Sequence, residues 1–201
     1  FDHHQLMDEM DDLLQSILAC KKAQRCTYQT LFQTHLNLDP LQTNSTELKT
    51  CAEKNNINDP GLGDSIDDWL MLLFSYCIEP QLQQLTFVHD YPASQSALAR
   101  VNQADSRVSD RFEVFYKGIE LANGFYELAD APEQRQRFIE NNKTRITHNK
   151  PQVALDERLL SALEHGLPDC AGVALGIDRL VMLALQAKSV ADVLSFSYQH
   201  A

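Results

Sequence analysis

The stretch RFEVFYKGIELANGFYEL, Arg111 to Leu128, constrains the fold more than any other part of the chain. Glu113, Glu120 and Glu127 recur seven apart, a spacing that a helix would gather onto one face. Phe112, Val114, Phe115, Tyr116 and Ile119 are strong strand formers, however, and Gly118 and Gly124 would weaken a helix running through them. The pattern predicts a hairpin with Lys117-Gly118 as its two-residue turn. In that register residue 116 faces 119, 115 faces 120 and 113 faces 122, so that 113, 115, 120 and 122 share one face. Glu113 and Glu120 are then diagonal neighbours, about 7 to 8 Å apart at the backbone. Two carboxylates so placed are costly to bury without a partner. They suit a hard cation such as Mg²⁺, which takes one or two carboxylates together with substrate phosphates. They equally suit a solvated sheet face. Asn123-Gly124 reads as a turn signal with Phe125 and Glu127 just beyond it. A glutamate beside an aromatic ring is a receptor for an alkylammonium group, and also what an ordinary exposed glutamate looks like.

A second stretch, GVALGIDRLVML from Gly172 to Leu183, interrupts an apolar run with Asp178-Arg179. A strand handing over to a helix, with the charged pair at the junction, accounts for the pattern. A guanidinium waiting at a helix start for an anion accounts for it too.

The rest of the chain reads as helices first and then strands and helices, an α+β layout. Asp2 and Gln5 form a capping pattern ahead of an amphipathic run at Leu6, Met10, Leu13, Leu14, Ile17 and Leu18. Further helices are predicted within Tyr28–Leu36, Ser45–Asn55 and Ser65–Tyr76. TFVHDYP is a strand ending at Pro92, APEQRQRFIENNKTRI a helix opened by Pro132, and LDERLLSALEHG a helix stopped by Gly166. A last short helix is predicted near Ser189–Leu194.

Five scattered cysteines without a CxxC pair favour reduced thiols in a cytoplasm, and no HExxH or Cys/His cluster suggests zinc. No apolar run approaches the roughly 18 residues of a membrane span. A formal net charge of −11 argues against a surface devoted to nucleic acid but leaves room for a local cationic site.

Taken in order and spacing, RFEVFYKGIELANGFYEL and GVALGIDRLVML resemble the C-terminal half of the catalytic domain of class II aminoacyl-tRNA synthetases of the lysine subclass. Gly172 to Arg179 resembles motif 3 of that family, a strand with spaced glycines leading into a helix with an arginine at its start. TFVHDYPAS, DAPEQRQRF and the closing ADVLSFSYQHA extend the likeness over nearly the whole chain. It is nearest to the short paralogues of lysyl-tRNA synthetase that attach (R)-β-lysine to a lysine of elongation factor P.

The resemblance implies ATP and Mg²⁺ as cofactors, lysine or β-lysine as small-molecule substrate, and elongation factor P as acceptor. It assigns Glu113, Glu120, Leu121, Gly176 and Arg179 to ATP, with Glu113 and Glu120 on Mg²⁺, and Arg179 and Glu120 as the catalytic pair. Asn123, Phe125, Glu127 and Ala174 would form the amino-acid pocket. Ala174 stands where lysyl-tRNA synthetases usually carry glycine, and its added methyl fits a substrate whose amino group is shifted by one carbon. Residues 1–201 then read as one partial catalytic domain, with 1–80 mainly helical and 81–201 holding antiparallel strands, the carboxylate hairpin and motif 3. Motifs 1 and 2 of the family have no counterpart here, so the expectation is a fragment with little activity alone, from a cytoplasmic, homodimeric enzyme. Two alternatives stay open: a lysyl-tRNA synthetase charging tRNA with L-lysine, and a non-catalytic ATP- or lysine-binding paralogue.

Overall fold

The computed structural model describes residues 1 to 197; the last four residues of the closing segment ADVLSFSYQHA lie outside them. In chain order the elements are α1 (His3–Leu18), β1 (Gln24–Thr27), α2 (Tyr28–Leu36), α3 (Ser45–Lys54), α4 (Ile66–Leu73), β2 (Thr86–Pro92), β3 (Val108–Tyr116), β4 (Ile119–Tyr126), α5 (Ala131–Thr147), α6 (Glu157–His165), β5 (Ala171–Leu175) and α7 (Ile177–Ala184). The helical path of α4 continues through a π-turn at Phe74–Ile78 and a 3₁₀ turn at Glu79–Gln81. The helix predicted near Ser189–Leu194 is a single 3₁₀ turn, Val190–Asp192.

The strands form one sheet in the order β1-β2-β3-β4-β5. β2 to β5 pair antiparallel, as expected, but β1 runs parallel to β2. The predominantly helical segment 1–80 therefore supplies an edge strand that its sequence, QRCT, is too short and too polar to announce. Two hydrophobic cores flank the sheet. On one side Leu6, Met7, Met10 and Leu14 of α1 and Leu180 of α7 pack on Phe87, Phe112, Val114, Leu121 and Ala122. On the other, Tyr28, Phe32, Leu48, Trp69, Leu73, Phe74 and Ile78 pack on Val88, Tyr91 and Phe115.

Local chemistry sets the helix starts. Asp2 accepts from the Gln5 N–H at 2.9 Å while Gln5 reaches back to the Asp2 N–H at 3.0 Å, closing the predicted capping box. Asp130 caps α5, whose first turn holds Pro132. The apolar face read for α1 is rotated, however: Leu13 and Ile17 are exposed, and His3 and Asp11 are buried instead.

His3 sits beside His4 at 4.1 Å between ring centroids, and neither of its ring nitrogens has a hydrogen-bond partner among the described residues. Burial, and secondarily the neighbouring His4, holds its pKa below the ordinary 6.5, against the pull of Asp110, Asp2 and Asp90. As pH falls through 6.5 the unfolded chain takes up this proton first, so stability is lost below that pH. Urea midpoints measured at pH 7.5 and 5.5 are expected to fall between the two for the wild type and to fall less for His3→Phe.

The hairpin turns where predicted. Lys117 and Gly118 have φ of 54° and 70°, the doubly positive pair of a tight hairpin turn. Tyr116 faces Ile119 and Phe115 faces Glu120, but the register then slips: Val114 faces Ala122 and Glu113 faces Asn123. Leu121 is the extra residue of a β-bulge, and both it and Ala122 enter the core beneath α1. Ala122 therefore does not share the face of Glu113 and Glu120; Asn123 does. Nor is Asn123-Gly124 a turn, since both residues lie inside β4. Gly124 is there because the Phe112 ring lies across it, where an added methyl would collide with the ring. Gly124→Ala is expected to destabilise the protein by about 1–3 kcal/mol, the usual cost of overpacking a core, read as a lower denaturant midpoint at unchanged m-value.

Candidate active site on the sheet face

The bulge decides which side chains meet. Arg111, Glu113 and Phe115 of β3 stand opposite Phe125, Asn123 and Glu120 of β4, and Asn123 and Phe125 in turn face Ala174 and Gly172 of β5. All of these positions lie on the face away from α1. Glu127 joins them just past the end of β4: its carboxylate lies over Gly172, where a β-carbon would collide with Oε1. Gly172 thus leaves room for a glutamate, a role its sequence context did not suggest. Val173 and Leu175 point into the opposite core.

A cavity of about 710 Å³ opens on this face, roofed by α4 and its π-turn and by α5; its lining includes Arg111, Glu113, Glu120 and Glu79. Of the predicted residues Glu113 and Glu120 line it, while Asn123, Phe125, Glu127 and Ala174 continue the same sheet face beyond it. Glu113 is held at both oxygens, by Arg111 on Oε1 and by the Tyr91 hydroxyl, which donates to Oε2 at 2.6 Å. Burial pushes its carboxyl above the ordinary glutamate range; Arg111 and Tyr91 pull it back, and Glu120 pushes it up further. Glu79, at the end of the α4 path, is raised by burial and then by Glu120 and Glu113. Burial also raises Glu127.

The residues present fit a divalent hard cation in one respect and limit it in another. Two oxygen-donor side chains, Glu113 and Glu120, lie on one face, and the charge of Glu120 bears on Glu113. Among the described residues no group of three His, Cys, Asp or Glu side chains is arranged to hold a metal alone. That donor set matches an ion bound jointly by protein carboxylates and ligand phosphates rather than by a complete protein cage.

At the far end of β5 the Gly176 N–H donates to the Leu121 carbonyl at 2.8 Å, which ties the start of α7 to the bulge. The Leu121 side chain is buried, so only its backbone belongs to this face. A β-carbon on Gly176 would sit 3.4 Å from that carbonyl and 3.7 Å from the Arg179 Cδ, ordinary contacts that the folded chain tolerates. Arg179 stands in the first turn of α7 and donates from Nη1 to the Glu120 carbonyl at 2.8 Å, with the same nitrogen 3.5 Å from the Glu120 carboxylate. Its side chain is 48% exposed, and among the described residues the other guanidinium N–H groups are not engaged, which leaves donors for an anion.

Three residues of this face had no place in the sequence reading. Arg111 could have been found, because alternation puts it two residues from Glu113 on the same face. Tyr91 and Glu79 arrive from β2 and from the end of α4, and nothing in their local sequence announces the meeting.

The sheet, the three glutamates of the hairpin and the arginine at the start of α7 define a class. Residues 1–200 match the family described as tRNA synthetases class II (D, K and N), and the chain belongs to it. Within it the chain is similar to proteins named elongation factor P–(R)-β-lysine ligase: 48% identical to that of Pectobacterium carotovorum subsp. carotovorum and 50% to that of Salmonella dublin. Each alignment takes in 100% of this chain and 63% of the relative, so the chain spans less than two thirds of the length of the curated proteins it matches. No helix among the described residues is long and apolar enough to cross a membrane.

Proposed function

We propose that the chain carries ATP- and lysine-binding residues of an enzyme that activates (R)-β-lysine as an aminoacyl-adenylate and transfers it to a lysine side chain of elongation factor P. The observation that carries this reading is the single sheet face on which the bulge collects Glu113, Glu120, Asn123, Phe125, Glu127 and Ala174. The relatives' printed name supplies the substrate and the acceptor. The C-terminal place of this chain in a longer enzyme, the dimer and the cytoplasmic setting belong to the same proposal.

In the first step a carboxylate oxygen of the amino acid attacks the α-phosphorus of ATP, and the bond to the bridging oxygen of pyrophosphate breaks. In the second the ε-amine of the acceptor attacks the acyl carbon and AMP departs. Glu127 pairs with a substrate ammonium and the Phe125 ring packs beside it, while Asn123 and Ala174, opposite each other, set the depth of the pocket. Arg179 meets the triphosphate with its fork of donors. Glu113 and Glu120 would hold Mg²⁺, which supplies charge neutralisation at the phosphates. Positioning and fixed charge carry the reaction, and the first step requires no general base.

The competing reading is an enzyme that charges tRNA with L-lysine, which the family description alone favours. ATP–pyrophosphate exchange by the full-length protein separates the two. A higher kcat/KM for (R)-β-lysine than for L-lysine is expected, with Ala174→Gly narrowing the gap. Preference for L-lysine, with Ala174→Gly silent, would sink the proposal.

A further inference from the structure

Arg111 makes three directional contacts from one part-buried guanidinium. Nη2 donates to Glu113, Nη1 to the Gln95 carbonyl at 2.6 Å, and Nε to the Asn123 Oδ1 at 3.3 Å. The Tyr91 ring lies 4.6 Å and the Phe125 ring 6.0 Å from its central carbon, and only 15% of the side chain is exposed. Gln95 belongs to the 3₁₀ turn Ala93–Gln95, which is tethered to α4 by the Ser94 hydroxyl donating to Asp67 at 2.7 Å. The guanidinium is thus fixed from two directions before it meets Asn123.

The two ends of an asparagine amide have nearly the same size, so packing alone does not choose between them. A guanidinium has only donors, and its Nε therefore selects the oxygen of Asn123. The NH₂ group is then turned away from Arg111. An asparagine held this way offers donors, which recognise carboxylate or phosphate oxygens; turned over, it would offer an acceptor, which recognises an ammonium. We propose that Arg111 is a positioning residue that fixes the amide of Asn123 with its donors toward the substrate and thereby sets which end of the amino acid that residue reads. This rests on the lysine-activating reading given above, and it adds to it a specificity-determining residue that acts through Asn123.

The test combines kinetics with a readout independent of turnover. Arg111→Lys keeps the charge but loses the fork, and Arg111→Gln keeps a donor without the charge. In the wild type the Asn123 side-chain NH₂ pair is expected as one sharp, exchange-protected set of ¹⁵N–¹H resonances. In both variants it is expected to shift and broaden as the amide rotates. In pyrophosphate exchange, Arg111→Lys is expected to raise the amino-acid KM about tenfold, the scale of one charge-assisted hydrogen bond. In an Asn123→Ala background the same substitution is expected to leave that KM unchanged, because the two residues act as one unit. An unmoved Asn123 resonance in both variants would overturn the proposal, as would an equal rise in KM in both backgrounds. If the wild type exchanges with neither lysine, the functional reading fails, and the resonance still decides the role of Arg111.

Discussion

Arg179→Ala is expected to lower the rate of ATP–pyrophosphate exchange by about 10²–10³-fold, the usual cost of removing one preorganised donor from developing charge. The fold is expected to survive it. Arg179 is half exposed, and among the described residues its hydrogen bond and its ion pair both go to Glu120; exposed pairs of this kind contribute no more than about 1 kcal/mol. A thermal midpoint near that of the wild type therefore accompanies the loss. The split between constants says how the arginine acts. If it meets charge that builds as pyrophosphate leaves, kcat falls; if it merely holds ATP, KM rises and kcat is preserved. Arg179→Lys is expected to recover part of the rate, since an ammonium keeps the charge but loses the two-pronged fit. Full activity in Arg179→Ala would remove this residue from the mechanism.

Glu127→Gln is expected to reduce kcat/KM for the lysine substrate by about 10³-fold or more, because a site built around one charged partner rejects its absence strongly. Glutamine has the shape of glutamate and fits the same space over Gly172, so the substitution isolates charge from volume. Its effect on stability is expected to have the opposite sign. Burial raises the folded-state pKa of Glu127 above its ordinary value. Stability associated with the group is thus present at low pH and lost as pH rises through the folded value. At neutral pH the neutral isostere removes that loss, and the denaturant midpoint is expected to stay level or rise. A variant that is both inactive and less stable would show that Glu127 works mainly as a structural partner.

Most of what the sequence disclosed was local chemistry. The Asp2–Gln5 capping box, the opening of α5 at Pro132 and the Lys117-Gly118 turn each depend on neighbours within a few residues, and each formed as read. Failures came where a distant partner overrides the local signal. Asn123-Gly124 has the composition of a turn, yet the Phe112 ring on the neighbouring strand needs a residue without a side chain there. QRCT became a strand through its pairing with Thr86–His89, some sixty residues away. The hairpin predicted Glu113 and Glu120 together but gave the wrong third member, because the slip at Leu121 depends on how Leu121 and Ala122 pack beneath α1. Resemblance assigned Glu113 and Glu120 to ATP and Mg²⁺ and Asn123, Phe125 and Glu127 to an amino-acid pocket. The bulge is what brings Asn123 and Phe125 onto the sheet face of those two glutamates.

That one surplus residue makes the hairpin a matter of parity. Glu113 and Glu120 are counted from the turn in one phase; Asn123 and Phe125 are counted in the other, and Leu121 is where the phase changes. With the surplus residue removed, plain alternation from Glu120 would bring Asn123 and Phe125 to the same face directly; at the native length they reach it only because Leu121 stands out of the ladder. Straightening the bulge without changing the length, so that Leu121 and Ala122 each took their own place opposite β3, would instead turn Asn123 and Phe125 toward α1. The unity of the face therefore depends on Leu121 and Ala122 both staying packed beneath α1, two neighbours on one side where alternation would allow one.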